Sequence, residues 1–107
     1  MFKILIFTIL ILAGCTKKGD PQKASDPVVE GRRVYSTHCI ACHGANPKID
    51  GAVGPAVAGS SLELLTERVL KGKYPAGYTP KRETSAMAAL PFLKDDIPAL
   101  HAYLNSP

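Results

Sequence analysis

The segment Cys39-Ile40-Ala41-Cys42-His43 sets two thiols three residues apart and follows them at once with an imidazole. Each thiol can add to one vinyl group on the same face of a porphyrin, and the next side chain is then carried toward the iron. C-x-x-C-H reads as covalent c-type haem attachment, and histidine is a usual proximal iron ligand. Two other chemistries use thiols at this spacing. A redox C-x-x-C is expected beside a βαβ pattern, and no strand-like run flanks Cys39. A structural zinc site needs four ligands, usually in two separated pairs. After Cys42 the chain has no further cysteine, and beyond His43 the single later histidine is His101. Haem is therefore the first reading, with zinc or dithiol chemistry as the remaining alternatives.

The elements around the motif follow from capping and periodicity. Asp26 is a good N-cap and Pro27 suits the first helical position, so a first helix is expected from Asp26. Val28, Gly31, Val34 and Tyr35 recur at helical spacing and give it a core-facing seam. Gly31 weakens a helix, which points to close approach by another element; a tolerated surface glycine is the other reading. His38, adjoining Cys39, reads as a solvent-side histidine rather than a ligand. Gly44-Ala45-Asn46-Pro47 is a turn-rich loop. Ser60 and Glu63 have capping-box spacing for a second helix, with Leu62, Leu65 and Val69 as its stripe and Gly72 as its C-cap. A last helix is expected from about 95 to 104. Asp96 can cap it, the acidic pair Asp95-Asp96 suits the helix dipole, and Pro98 is tolerated only in the first turn. Ile97, Leu100 and Leu104 form its buried stripe, and His101 on the same helix is a rival iron ligand.

Residues 71–82 are the least regular stretch. Lys71, Lys73, Lys81 and Arg82 stand there with no acid among them, around Tyr74 and Tyr78. Three readings stand open: a basic collar that steers acidic partners, a clamp in which a tyrosine hydroxyl or Arg82 binds haem carboxylates, and a solvated loop.

The chain has 107 residues, room for one domain. Its formal charge of +4 is a mild bias, and it lacks the strongly basic stripe of a nucleic-acid-binding protein. Residues 1–14 read as an export signal: Lys3 precedes an apolar run, Ile4 to Leu12, too short to span a bilayer. The run ends in Leu12-Ala13-Gly14-Cys15, which resembles a bacterial lipoprotein signal, where the cysteine is lipidated and becomes the mature N-terminus. An ordinary signal peptide with a chance cysteine is the alternative. With lipid on Cys15 and haem on Cys39 and Cys42, none of the three cysteines is left over. Residues 15–25 then form a lipidated N-terminus and polar tether without apolar groups to bury. Loss of Lys3 leaves 12 basic against 9 acidic side chains, so two haem carboxylates would bring the domain close to neutral.

Further along, Gly54-Pro55 follows the haem motif, and Met87 precedes Leu90-Pro91-Phe92-Leu93 and the acidic start of the last helix. With Cys39, Cys42 and His43, these features resemble a class I c-type cytochrome. Ala88 stands where that family often has proline. The resemblance implies an all-α cytochrome c-like domain of three to five helices, residues 26–107, wrapped around one covalent haem c. It implies His43 and Met87 as axial iron ligands, Pro55 as the carbonyl acceptor for His43, and Tyr103 packed near Gly31. A core methionine and a plain loop proline are the other readings of Met87 and Pro55. The resemblance also implies haem attachment outside the cytoplasm, in agreement with the export signal. The function expected is single-electron transfer by a monomeric carrier, not an enzyme, lipid-anchored to a bacterial membrane and facing the periplasm or outer surface. Its partners would be a reductase, oxidase or dehydrogenase, without nucleic acid. The alternatives are a haem subunit of a periplasmic redox enzyme and a haem-based ligand sensor.

Overall fold

The computed structural model describes residues 25–107; the expected signal peptide, Cys15 and nearly all of the tether lie outside the described residues. The Asp26 carboxylate accepts a hydrogen bond from the Val28 amide at 2.9 Å and starts helix α1, Pro27–His38. This meets one of the orphan amides of the first turn. Cys39 breaks the helix for one residue, and α2, Ile40–His43, continues as a single turn. The haem-type motif is thus an appendix of α1, and its position follows from how α1 packs.

That packing is decided at Gly31. A Cβ at this position would collide with the Ala99 carbonyl and with Tyr103 Cβ. Only glycine lets α1 come this close to α4, Ile97–Leu104, and the two helices share the most extensive helix–helix contact in the domain. Val34 and Tyr35 of α1 are buried there with Ile97, Leu100 and Leu104. The Tyr35 and Tyr103 rings meet at 5.6 Å in a tilted arrangement, within the usual range for aromatic pairs. The Tyr35 hydroxyl donates to the Gly44 carbonyl at 2.6 Å, just after the motif. Burial pushes this phenol up to about 12.

The second helical stretch starts with α3, Leu62–Leu65, and widens into a π turn over Thr66–Leu70. Leu65 and Val69 complete the core with Leu93. Two expectations change here. The cap is Ser61, whose hydroxyl accepts from the Leu64 amide at 3.1 Å. Ser60 is instead used by the preceding turn: its hydroxyl donates to the Val57 carbonyl at 2.5 Å. With the cap one residue later, no Ser60–Glu63 capping box forms. Leu62 is 49% exposed because it opens the helix at the surface, and burial begins one turn later. Gly72 follows the C-cap Lys71 with φ +69°.

The last helix also differs from expectation. A 3-10 helix, Pro91–Asp96, leads directly into α4, which begins at Ile97 rather than Asp95. Asp96 already has helical dihedrals, φ −92° and ψ −11°, and makes no side-chain cap bond. A side chain caps where the backbone is still extended, and here it is not. Among the described residues there is no strand, and the small all-α domain expected from the sequence is what forms.

Gly31→Ala tests the helix crossing. In an open helix this change stabilises by about 0.5–1 kcal/mol; here overpacking should instead lose about 1–3 kcal/mol. A denaturant melt of the variant should show a lower midpoint with an unchanged slope.

Candidate functional site

One cavity of about 540 Å³ is lined by residues from Tyr35 to Leu104, a size suited to a cofactor. It shares its wall with the core: Tyr35, Leu65, Val69, Leu100 and Leu104 border both. Cys39, Cys42, His43, Pro55 and Met87 all line it. Residues separated by up to 48 positions in sequence, from Cys39 to Met87, therefore meet around one space. Met87 is half-buried and also packs against the hydrophobic core.

His43 is the most constrained of these side chains. Its Nδ1 lies 2.8 Å from the Pro55 carbonyl oxygen. A carbonyl can only accept, so Nδ1 carries the proton and Nε2 is left with its lone pair, the form that binds a metal. Gly54 lies against the ring: a Cβ there would sit 2.5 Å from Nδ1 and Cε1. The Gly54 amide donates to the Cys42 carbonyl at 2.8 Å, and the Val53 amide to the same carbonyl at 3.2 Å. The loop after the motif thus folds back over it and presents Pro55 to the imidazole. The Gly-Pro pair was legible as a motif, but the pressure of Gly54 on the ring was not, because it depends on this fold-back.

The thiols differ. Cys39 is half-buried, and burial pushes its thiol up to about 11. Cys42 is exposed. Redox dithiols rely on a lowered thiol pKa, and Cys39 moves the other way. Among the described residues, no further His, Cys, Asp or Glu gathers into a metal-binding group. An apolar cavity with two thiols at its edge and a tautomerically fixed imidazole on its wall fits a covalently held haem better than either alternative.

The basic segment forms part of the cavity wall. Tyr74 and Tyr78 stack at 5.3 Å, and the Arg68 guanidinium lies 4.6 Å over the Tyr74 ring. Lys81 and Arg82 border the same space, whereas Lys71 is engaged by Glu67 at 2.7 Å. Sequence reading found no acid within this stretch; the partners come from outside it, and Arg82 meets Asp50 at 3.5 Å. Asp50 is held below the usual carboxylate range, chiefly by the Ala56 amide it accepts from, with Arg82 adding to the effect. His38 is exposed at the cavity rim with its ring edge toward Phe92, 5.3 Å between centroids. His101 is half-buried on α4 and does not border the cavity.

Gly54→Ala should turn the His43 ring or lengthen its bond to Pro55, since the added carbon has no space. Nitrogen NMR of the imidazole should then show a shifted Nδ1 resonance, together with a stability loss of about 1–3 kcal/mol.

Residues 26–104 match the family model described as cytochrome c oxidase, cbb3-type, subunit III. A comparison with curated proteins finds no match. The match covers nearly all of the helical domain and contains the whole cavity wall. The chain belongs to this family of c-type cytochromes, whose members carry covalent haem c and serve in electron transfer.

Proposed function

We propose that the chain is a monohaem electron carrier in which Cys39 and Cys42 would form the thioethers and His43 and Met87 would bind the iron. The observation that carries this reading is the His43 imidazole, fixed by the Pro55 carbonyl at 2.8 Å on the wall of a cavity that both thiols and Met87 line. When bound, the haem supplies one-electron cycling between Fe(III) and Fe(II). The protein's part is to hold ligands and exclude water. Pro55 keeps His43 in its Nδ1-protonated tautomer and makes Nε2 the stronger donor. Met87 offers a soft thioether, which favours the reduced metal. Leu65, Val69, Leu100 and Leu104 keep the surroundings apolar.

In this reading His43 and Met87 would both be committed to the iron, which favours a carrier over a catalyst or a ligand sensor. The lipid anchor at Cys15 belongs to the same proposal. It rests on Leu12-Ala13-Gly14-Cys15 and on the exported setting that c-type attachment implies. Family membership supports partners of the redox-complex kind, met at the membrane to which the anchor would hold the domain. Among the described residues no helix is long and apolar enough to cross a membrane.

Met87→Ala tests the ligand set. Loss of the thioether should lower the reduction potential, abolish the weak sulfur-to-iron absorption band of the oxidised protein, and speed carbon monoxide binding to the reduced one. A core role alone predicts a loss of roughly 2–5 kcal/mol with spectrum and potential unchanged. Rapid carbon monoxide binding to the unaltered protein would instead favour a catalyst or sensor. Cys15→Ala tests the anchor: the variant should leave the membrane fraction, since stable anchoring takes more than one acyl chain. Retention after a salt wash would count against lipidation.

A further inference from the structure

Two basic side chains grip the loop that holds His43. Arg82 Nη1 donates to the Val53 carbonyl at 2.7 Å, and Nη2 to the Gly51 carbonyl at 3.5 Å. The same guanidinium meets Asp50 Oδ2 at 3.5 Å. Lys81 Nζ donates to the Ala56 carbonyl at 2.9 Å. Across the loop, Asp50 Oδ1 accepts from the Ala56 amide at 2.8 Å. The carbonyls of Gly51, Val53 and Ala56 are therefore held by cations, while the Pro55 carbonyl accepts from His43. These contacts bridge 25 to 31 residues of sequence.

Charge-assisted hydrogen bonds are stronger than neutral ones, and a planar guanidinium delivers its donors in fixed geometry. Peptide planes held this way cannot rotate independently, and the plane carrying the Pro55 carbonyl lies between two of them. We propose that Lys81 and Arg82 are positioning residues for His43: by clamping residues 51–56 they fix the Pro55 carbonyl on Nδ1, and with it the electron donation of the imidazole. This rests on the reading of His43 as an axial ligand. A hydrogen bond at Nδ1 raises the basicity of the ring, and a stronger donor favours Fe(III). Loosening the clamp should therefore raise the reduction potential. Removal of a nearby positive charge acts in the opposite direction, because a cation favours the less positive Fe(II) state. The two effects can be separated by sign.

Arg82→Lys keeps the charge and removes the fork. In the haem-loaded protein, proton exchange at His43 Nδ1, followed by NMR, should become about tenfold faster, the expected consequence of losing one charge-assisted hydrogen bond. The reduction potential should rise. Arg82→Gln removes fork and charge together, so its exchange should be equally fast and its potential below that of Arg82→Lys. Lys81→Gln removes a single contact and should show the same exchange effect at smaller size if Arg82→Lys fails to load haem. Unchanged exchange and potential in Arg82→Lys, even with a lowered melting point, would overturn the proposal. A lowered potential in Arg82→Gln alone would reduce Arg82 to a charge effect and overturn it equally. Absence of iron-ligand shifts on the wild-type His43 resonances is a separate outcome: it would remove the ligand reading itself, and this inference with it.

Discussion

The close approach of α1 and α4 at Gly31 is the constraint on which the rest of the domain depends. With no side chain there, the α1 backbone comes against the Ala99 carbonyl, and Tyr35 is carried fully into the core. Its hydroxyl reaches the Gly44 carbonyl and so anchors the residue that ends α2. The motif is held from both sides, by the helix that precedes it and by the hydrogen bond that follows it. A wider crossing would leave Tyr35 short of Gly44 and separate α2 from the cavity.

Core and cavity are the same apolar surface used twice. Leu65, Val69, Leu100 and Leu104 belong to the buried core cluster and also border the cavity. A domain of this size buries only a modest fraction of its chain surface, so a large apolar group in that space adds to its core. This is a physical reason for expecting stability and cofactor loading to be linked in a c-type cytochrome of about eighty residues.

Several polar groups at the wall and beside it are held by partners. Arg68 stacks on Tyr74 and donates to the Gly72 carbonyl at 2.6 Å. Asn105 ties the end of α4 to the Ser60 carbonyl at 2.9 Å. The Gly59 amide reaches the Leu104 carbonyl at 2.8 Å. Hydrogen bonds to helix ends thus help to hold the loops between the helices. They keep an irregular backbone in fixed positions around an apolar space.

Local chemistry was legible in the sequence. The C-x-x-C-H spacing, the Asp26-Pro27 start of α1, the seam of Gly31, Val34 and Tyr35, and the stripe of Ile97, Leu100 and Leu104 all depend on residues within a few positions of one another. Periodicity and capping act over that range, so the individual helices could be read directly, and the family resemblance implied the all-α class. The choice of Ser61 over Ser60 as cap, the π turn at Thr66–Leu70 and the 3-10 entry to α4 could not, because each is decided by what the neighbouring turn does with its own hydrogen bonds. Gly31 announced a close neighbour without naming Ala99. The bond from Arg82 to residues 51 and 53, and the pressure of Gly54 on His43, carry no local signal at all. They arise only when segments far apart in sequence are brought together by the α1–α4 crossing, and a long-range contact is encoded by complementary surfaces rather than by spacing along the chain.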